Sequence, residues 1–384
     1  MKPHDIPGKN HKRTTRDFGK FVRAACRKKD VFPNPAEAIS RNNDNKNRIY
    51  MMNALVLHSN TPNVQIESVE MPVPGDNDVL IRMKSAALNR RDVWICRGKY
   101  AKIQYPAVLG SDGSGIVAET GKNVSKEWLG KEVVIHPSLN WGDNPAAQSK
   151  KYSILGMPTS GTLAEYCAMP AENIFLKPPH LSFDEAGAFP LAYLTAYRAV
   201  VRQANVQPGH VVLITGIGGG VALAAFDIAR ALGARIYATT GSDDKLLKFG
   251  LLGGNGGTIY TTDSWDSDLM TATDGFDVII DSAGGPNFNK LTNLTKPGGT
   301  IAVYGATVGA VPDLNLHRIF WKQLKIIGST MGNTDDFRDM LAVVNHHRLC
   351  PVIDSVYEFA HAQAAFDRMA ASEQFGKIVV RISE

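Results

Sequence analysis

The sequence contains few cysteines and no long apolar run, and each scarcity excludes a class of protein. Its 384 residues include four cysteines, Cys26, Cys96, Cys167 and Cys350, which are scattered and form no Cys-x-x-Cys pair. We therefore expect neither a disulfide framework nor a four-cysteine zinc site, and a reducing compartment fits this usage. No apolar stretch approaches the about 20 residues that cross a bilayer, and we find no secretory signal. We expect a cytoplasmic protein without a membrane partner.

Most of the chain also lacks a basic excess, although the formal net charge is +5. Residues 1–50 hold 13 Lys and Arg against 5 Asp and Glu, a net charge of +8, so residues 51–384 carry −3. The polarity and poor apolar periodicity of residues 1–50 predict a disordered basic extension. Two interpretations stay open: an annotation extension ahead of a true start at Met51 or Met52, which we favour, and a basic targeting or nucleic-acid arm. No nucleic-acid partner is expected for the folded body.

What the chain does contain is a glycine cluster between an apolar run and an alanine-rich helical pattern. The run over 211–215 predicts a strand, glycines follow at 216–220, and the pattern over 222–232 predicts a helix. A second predicted strand over 234–240 completes a βαβ unit of about 30 residues. Such a strand, turn and helix present free backbone N–H groups to a diphosphate, and glycine permits the close approach. The pattern predicts a dinucleotide site.

The flanking regions differ in their predicted structure. Residues 53–176 are rich in short strands separated by turns, which indicates a mostly β domain. Residues 182–204 predict a helix, with Ser182 as its N-cap and Glu185 completing a capping box. From about 208 to 314 strands alternate with helices, and several strands are continuous apolar runs. Such runs are typical of parallel strands that are buried on both faces.

Six motifs in this chain match those of a known family. They are Ala86–Asp92 (AALNRRD), Leu109–Gly115 (LGSDGSG), the glycines at 216–220, Asp281–Gly285 (DSAGG), Val303–Ala306 (VYGA) and Phe375–Val379 (FGKIV). Over about residues 52–384 the chain resembles the medium-chain dehydrogenase/reductase superfamily, most of all its quinone-oxidoreductase and zinc-free alcohol-dehydrogenase-like branches. The resemblance implies an α/β fold in which a Rossmann doubly wound parallel sheet is inserted in a GroES-like β-rich catalytic domain.

The resemblance also implies a division into domains. Residues 51–180 and 316–384 are expected to form the GroES-like catalytic domain, and residues 181–315 the Rossmann NADP-binding domain. A strand at 325–328 is expected to extend the parallel sheet. Because relatives commonly dimerise by joining sheet edges, we expect a homodimer by analogy, through an edge around 299–331.

The zinc ligands of the family are missing from the matching positions of this chain. Zinc-dependent members use a cysteine where this chain has Asn89 and a histidine where it has Ser111. An amide and a hydroxyl cannot replace a thiolate and an imidazole as strong zinc ligands. The structural zinc lobe would fall around 137–157, where the chain has no cysteine. We expect no metal site, since the remaining carboxylate of Asp112 makes none by itself.

The end of the second strand of the βαβ unit bears on the choice of cofactor. NAD-specific folds usually carry an acid there for the ribose 2′-hydroxyl, and this chain has none. The resemblance assigns a 2′-phosphate to Ser242, Lys245 and Tyr260, although Gly241 stands where that branch has a hydroxyl. The acids at 243–244 are more simply the first turn of a helix, where carboxylates suit the dipole. We therefore favour NADPH and keep NADH as the alternative.

Without zinc, a developing oxyanion needs hydrogen-bond donors. Asn89 is the best candidate, because its position matches the metal site of relatives. Tyr100 is a second candidate that lines the same cleft or packs at a domain rim. Asp92 is included as a catalytic candidate, although orienting Arg90 or Arg91 is its simpler role. Arg91 stands where alcohol dehydrogenases keep a proton-relay hydroxyl, which argues against ordinary alcohol oxidation.

The predicted function is hydride transfer from NADPH to a quinone or an α,β-unsaturated carbonyl without zinc. Two alternatives are kept: an alcohol-dehydrogenase-like enzyme that uses NAD(P), with or without zinc, and a non-catalytic NADPH-binding regulatory or RNA-binding protein. The expected cofactor-binding residues are Arg90, Thr195, Gly216, Gly218, Gly219, Gly220, Val221, Ser242, Lys245, Tyr260, Tyr304, Gly305 and Lys377.

Overall fold

Two large sheets organise residues 49–383, the part of the chain that the computed structural model describes. The expectation for residues 1–48 lies outside the described residues. In chain order the strands are β1 (Met51–Leu57), β2 (Gln65–Glu70), β3 (Asp78–Ala87), β4 (Ala107–Val108), β5 (Asp112–Thr120), β6 (Glu132–Ile135), β7 (Ser138–Leu139), β8 (Ser153–Ile154), β9 (Tyr166–Pro170), β10 (Ile174–Leu176), β11 (Val211–Ile214), β12 (Arg235–Thr240), β13 (Gly256–Ile259), β14 (Phe276–Asp281), β15 (Thr295–Val303), β16 (Lys325–Gly328), β17 (Ile353–Glu358) and β18 (Lys377–Arg381).

Helices connect most of the later strands. They are α1 (Arg90–Cys96), α2 (Phe183–Ala188), α3 (Pro190–Tyr197), α4 (Gly220–Ala231), α5 (Asp243–Leu251), α6 (Trp265–Thr273), α7 (Phe288–Leu294), α8 (Leu316–Trp321), α9 (Thr334–His347) and α10 (Ala362–Ala371). A π-helical turn follows α3 at Arg198–Gln203, and short 3₁₀ turns lie at Lys126–Trp128, Ala171–Asn173 and Phe359–His361. No helix within residues 49–383 combines the length and apolarity that a membrane span requires.

The β-rich sheet is built from both ends of the described chain. Its strand order is β10-β6-β5-β3-β18-β17, with β9 also paired to β3. The last strand, β18, lies antiparallel to β3, with Val379 opposite Ala87. A separate three-stranded sheet has the order β2-β1-β4. This closure of the two chain ends onto one sheet confirms the GroES-like part of the expected fold.

The second large sheet is parallel and has the order β13-β12-β11-β14-β15-β16. All four residues of β11 are buried, as its continuous apolar sequence predicts for a strand covered on both faces. From β11 the chain adds β12 and β13 on one side, and then returns to add β14, β15 and β16 on the other side. This switch leaves a crevice at the carboxyl ends of β11 and β14. The doubly wound Rossmann sheet is therefore confirmed.

The end of the parallel sheet corrects one detail of the expected domain division. Strand β16 pairs with β15, Ile326 lying opposite Ile301, so the sheet continues beyond the expected boundary at residue 315. The apolar run of β16 had indicated this pairing. The division into 51–180 with 316–384 and 181–315 stays a prediction in its other boundaries.

The helix predicted over 182–204 is broken into three pieces. Its expected start is present, because Ser182 N donates to Glu185 Oε2 at 2.7 Å and Glu185 N donates to the Ser182 hydroxyl at 3.3 Å. Pro190 then begins a new helix, α3, since proline has no N–H to continue the previous one. The Arg198–Gln203 π-helical turn follows without a gap.

A buried ion pair anchors the segment 137–157, where relatives carry a structural zinc lobe and this chain has no cysteine. Arg198 pairs with Asp336 of α9, and their side chains are 5% and 4% exposed. The same guanidinium donates to the carbonyl oxygens of Pro145 and Ala146 at 2.8 and 3.0 Å. It also lies over the ring of Trp141, 4.8 Å from the centroid. Arg198 therefore connects the loop that contains Trp141, Pro145 and Ala146 to α9.

His136 is an uncharged imidazole inside the fold. It is fully buried, and neither ring nitrogen has a hydrogen-bond partner in residues 49–383. Its ring packs on Phe337, with the centroids 4.7 Å apart. Burial lowers the pKa of His136 to about 3.

Replacing His136 with Phe is expected to reduce the acid sensitivity of the fold. Between the ordinary histidine pKa and about 3, the unfolded chain binds a proton here and the folded chain does not. Because of this residue, the free energy of unfolding decreases as the pH falls, by about 2 kcal/mol between about pH 7 and about pH 5. Urea unfolding at the two pH values measures the loss, which the variant should lack. His361→Gln, at an exposed histidine, should keep it; an unchanged loss in His136→Phe would contradict the assignment.

Candidate active site

The glycine loop after β11 forms the floor of a large cleft. Gly216 and Gly218 have φ angles of +67° and +119°, in a region that side-chain-bearing residues rarely adopt. Helix α4 begins at Gly220, and no side chain caps its first turn. The N–H groups of that turn therefore face the crevice at the sheet's switch point. These residues fit the diphosphate of a dinucleotide, which needs such donors and no Cβ atoms in the way.

The carboxylate of Asp281, the first residue of the DSAGG motif, holds the loops of this crevice together. The motif was noted in the sequence, but no role had been predicted for Asp281. Asp281, at the end of β14, is fully buried. It accepts hydrogen bonds from the Thr215 hydroxyl at 2.7 Å and from the N–H groups of Ala283 and Gly284 at 3.3 and 3.0 Å. Thr215 follows β11, so one side chain fixes the ends of both strands at the switch point. The sequence signal that could have indicated this role is an acidic residue at the end of a buried apolar strand.

The cleft has a volume of about 940 Å³ and brings together all but one of the residues expected at the site. Lining it are Asn89, Arg90, Tyr100, Thr195, Gly216, Gly218, Gly219, Gly220, Val221, Ser242, Lys245, Tyr260, Tyr304, Gly305 and Lys377. They come from both large sheets and from segments almost 300 residues apart.

Asp92 is the exception and requires a correction. It is fully buried, does not line the cleft, and accepts the backbone N–H of Asn89 at 2.8 Å as part of a capping box on α1. Burial raises its pKa, against the opposing effect of Arg91. The spacing of three residues from Asn89 makes it a helix cap, so we assign it no catalytic role.

Asn89 lies in a buried cluster with two charged side chains. Lys377 Nζ donates to Asn89 Oδ1 at 2.8 Å and to Asp112 Oδ2 at 2.7 Å. Asn89 Nδ2 donates to the same Asp112 oxygen at 2.9 Å. This network sets the orientation of the amide, because the opposite one would face an NH₂ group to the ammonium and an oxygen to the carboxylate. One N–H of Nδ2 remains for a ligand in the cleft.

Lys377 was expected to contact the cofactor, and the structure gives its ammonium other partners. Its aliphatic stem lies against Gly220, where an added Cβ would come within 2.6 Å of the lysine Cδ. The stem thus runs past the start of α4, and the charged end reaches Asn89 and Asp112. The sequence motif indicated the residue but not this pairing.

Arg91 closes the cleft on the side of Tyr100. Its guanidinium donates to the Ser111 hydroxyl at 2.5 Å and to the carbonyl oxygen of Leu155 at 2.7 Å. Its Nε donates to the Tyr100 hydroxyl at 3.2 Å. Because arginine has no acceptor, the Tyr100 oxygen accepts in this contact and its own hydrogen points elsewhere. Tyr100 therefore belongs to the cleft wall with a hydroxyl hydrogen to donate.

These side chains do not fit a zinc ion. Ser111 is engaged by Arg91 and donates to Leu155 O at 2.8 Å, while Asn89 and Asp112 are engaged by Lys377. No three or more His, Cys, Asp or Glu side chains gather as metal ligands in residues 49–383. An ammonium already lies against the carboxylate, so a dication there would meet strong repulsion.

Thr195 and Tyr304 line the middle of the cleft. The Thr195 hydroxyl donates to the carbonyl oxygen of Leu191 at 2.7 Å, within its own helix. Its lone pairs are therefore what it offers to a ligand. Burial raises the pKa of Tyr304 to about 12, so this hydroxyl keeps its proton at neutral pH.

Cationic side chains gather at one end of the cleft, around the C-terminus of α10. Arg90 donates to the Met369 carbonyl oxygen and to the Ser372 hydroxyl, both at 3.0 Å. Lys245 Nζ donates to the Ser372 carbonyl oxygen at 2.9 Å. Helix C-termini attract cations in this way. Burial lowers the pKa of Lys245, against the opposing effect of Asp354.

The structure at the end of β12 explains why Gly241 stands where the related branch has a hydroxyl-bearing residue. A Cβ added to Gly241 would lie 2.9 Å from the Tyr260 hydroxyl oxygen, so the tyrosine occupies the space of that side chain. Ser242 caps α5, accepting the N–H of Lys245 at 3.4 Å. Asp243 and Asp244 form the first turn of α5, and Asp244 pairs with Lys248 at 2.7 Å. The interpretation of these two acids as a helix turn agrees with this geometry.

Comparison with known proteins identifies the family. Models described as "Alcohol dehydrogenase GroES-like domain" and "Zinc-binding dehydrogenase" match residues 75–179 and 220–346. "Zinc-type alcohol dehydrogenase-like protein YogA" from Leptosphaeria maculans is 34% identical over 339 residues, covering 83% of this chain and 94% of that protein. The chain belongs to the medium-chain dehydrogenase/reductase superfamily. This superfamily consists of oxidoreductases that use a nicotinamide dinucleotide.

Two further similarities within the superfamily differ in their stated chemistry. A solved structure described as an NAD-dependent alcohol dehydrogenase is 36% identical, with a TM-score of 0.82, and covers 86% of this chain and 100% of that one. Acryloyl-coenzyme A reductase from Sulfurisphaera tokodaii is 25% identical over 345 residues, covering 86% of this chain and 100% of that protein. These two relatives share the superfamily but differ in the reaction that their names give.

Proposed function

We propose that this chain reduces a quinone or an α,β-unsaturated carbonyl with hydride from NADPH, and that no zinc ion takes part. The observation that carries the proposal is the amide of Asn89, which lines the cleft and uses only one N–H of Nδ2 in its contacts with Lys377 and Asp112. A preorganised donor of this kind stabilises the negative charge that develops on a carbonyl oxygen. Conjugated carbonyls suit such a site, because conjugation spreads the charge that a metal would otherwise stabilise.

The described residues divide the work of the reaction. A bound nicotinamide dinucleotide supplies the hydride. Asn89 Nδ2 donates to the substrate oxygen and orients the conjugated system. Tyr100 Oη, which accepts from Arg91, directs its own hydrogen away from the guanidinium and donates to the same oxygen. The enolate or hydroquinone anion gains its proton from that hydroxyl, which solvent re-protonates.

The alternative of alcohol oxidation draws on the names of two relatives, one described as an NAD-dependent alcohol dehydrogenase and one as a zinc-type alcohol dehydrogenase-like protein. The name of the reductase from Sulfurisphaera tokodaii describes action on an unsaturated thioester, which favours the present proposal. Within this chain, Arg91 occupies the position of the relay hydroxyl and is engaged by backbone carbonyl oxygens. An always-charged guanidinium does not relay protons at neutral pH.

Asn89→Ala should lower kcat for a quinone and for methyl vinyl ketone by about 100-fold, the loss typical of one oxyanion donor. The dissociation constant for NADPH should stay within about threefold of the wild type, since Asn89 is assigned to the substrate oxygen. NADPH oxidation followed by stopped flow, with NADPH binding followed by fluorescence, measures both.

Two controls accompany this measurement. Asn345→Ala, at an exposed asparagine in α9, should leave kcat unchanged. Dialysis against a chelator should also leave it unchanged, and loss of activity on chelation would overturn the metal-free mechanism. Alcohol-dependent reduction of NADP⁺ that exceeds quinone reduction would favour the alternative.

The preference for NADPH rests on the charge at the end of β12. That strand ends without an acid, and Lys245 reaches the cleft with one of its three N–H groups on Ser372. The other two suit a 2′-phosphate, whereas a ribose hydroxyl gains little from an ammonium. Ser242 and the Tyr260 hydroxyl beside Gly241 complete the proposed contact set.

Lys245→Gln should therefore raise the dissociation constant for NADPH about tenfold or more, the cost of one charge-assisted hydrogen bond. The dissociation constant for NADH should change less than about twofold. Fluorescence titration with both dinucleotides measures the difference. Lys248→Gln, three residues along α5 and paired with Asp244, is the matched control. Equal weakening of both dinucleotides would contradict the preference and indicate a contact to their shared diphosphate.

A homodimer through the edge of the parallel sheet is also proposed. The outer edge of β16 has no partner strand in residues 49–383. Beside it, α8 exposes 63% of Phe320 and 75% of Trp321. A second copy of the chain would pair the edges and cover these side chains, which avoids the aggregation risk of an open apolar edge.

Trp321→Glu combined with Ile326→Lys should convert a dimer to a monomer, because each change buries a charge in the proposed contact. Sedimentation velocity at matched protein concentrations measures the mass. Leu251→Glu, at a side chain of α5 that is 80% exposed, should not alter it. A wild-type chain that sediments as a monomer would refute the proposal directly.

A further inference from the structure

Lys377 is a buried cation next to the amide assigned to the substrate oxygen. Its side chain is 5% exposed and that of Asp112 is fully buried. Burying two charges costs free energy that their mutual attraction repays only partly, so an apolar pair of the same size would serve stability as well. The pair therefore needs an explanation beyond stability.

The partners of Lys377 are held rigidly. Asp112 Oδ1 accepts the backbone N–H of Leu191 at 2.6 Å, and its carbonyl oxygen accepts the Thr162 hydroxyl at 2.6 Å. Asn89 is fixed by the cap that Asp92 makes on its backbone N–H. The ammonium of Lys377 therefore contacts two side chains, those of Asn89 and Asp112, that other hydrogen bonds hold in place.

The position of Lys377 is compatible with two roles, a contact to the diphosphate of a dinucleotide and a contact to the Asn89 amide. Its stem passes Gly220 of the glycine loop, and Gly376 N donates to Gly218 O at 2.9 Å, so a contact to a diphosphate is one task. Two of its three N–H groups are nevertheless engaged by Asn89 and Asp112. The second task, acting on the amide, uses the contacts that the structure contains.

A cation on the oxygen of an amide changes what its N–H does. Hydrogen bonds in a chain polarise one another, and the low dielectric of a buried site strengthens the effect. A positive charge on Asn89 Oδ1 draws electron density from the amide nitrogen, which makes the remaining N–H a stronger donor. Asp112, which accepts the other N–H of Nδ2, offsets part of this effect, so the gain depends on the ammonium lying directly against Oδ1.

We propose that Lys377 is a positioning residue that orients and polarises the Asn89 amide, so that the remaining N–H of Nδ2 donates more strongly to the substrate oxygen. The inference deepens the proposed function and rests on it. It assigns Lys377 to the substrate oxygen through Asn89, and not to the dinucleotide.

Lys377→Met should lower kcat for the quinone and for methyl vinyl ketone by about 100-fold, similar to the loss of the donor itself. The dissociation constant for NADPH, measured by fluorescence, should stay within about threefold. A rise in that constant of about tenfold or more would overturn the proposal and make Lys377 a diphosphate contact. Lys99→Met, at an exposed lysine near the cleft, is the matched control.

A second variant separates charge from structural damage. Lys377→Met alone leaves Asp112 as an uncompensated buried carboxylate, which strongly destabilises the fold. Lys377→Met with Asp112→Asn removes both charges and keeps an acceptor for Leu191 N. The double variant should unfold near the wild-type temperature and remain slow. Recovery of wild-type kcat in it would overturn the proposal, because only the carboxylate would then have been harmful.

Combination with Asn89→Ala tests whether Lys377 acts through the amide. If it does, the Asn89→Ala, Lys377→Met variant should be no slower than the slower single variant. Multiplying losses would overturn the inference. If Asn89→Ala itself leaves kcat unchanged, the proposed function has failed; if only Lys377→Met leaves it unchanged, the inference alone has failed.

Discussion

The contact between Lys377 and Asp112 is the interaction on which the arrangement of the site depends. The two side chains come from the first residue of β18 and the first residue of β5, and their charges are buried at 2.7 Å from each other. Neither charge is tolerable there without the other. Their pairing sets the orientation of the Asn89 amide and brings the C-terminal strand, the early β-rich segment and the glycine loop against one cleft.

The dinucleotide part of the cleft depends on a different constraint, the end of the parallel sheet. A hydrogen bond between Thr215 and Asp281 joins the carboxyl ends of β11 and β14, so it links the two loops that flank the switch point. The glycine loop then presents N–H groups because its backbone adopts conformations that exclude side chains. Arg90 and Lys245, which are proposed to contact the phosphates, are held by carbonyl oxygens at the C-terminus of α10.

Local patterns predicted much of this correctly. The apolar run before Gly216 predicted a strand, and Ser182 with Glu185 predicted a helix start, because both depend on neighbours in the chain. The helix over 182–204 failed at Pro190, where the signal was present but was outweighed by the surrounding helical pattern. Asp92 was included among catalytic candidates since its type suits acid–base chemistry, yet its spacing from Asn89 already fitted a cap.

The sequence by itself determined the superfamily, the glycine loop, the missing thiolate and imidazole of a zinc site, and 15 of the residues that line the cleft. These follow from residue types at fixed local spacings. Only the tertiary structure decided that Lys377 reaches Asn89 and Asp112, that Arg91 engages Ser111, and that Tyr260 fills the space beside Gly241. Such contacts join residues far apart in the chain. Their existence depends on how two sheets meet, which no local pattern encodes.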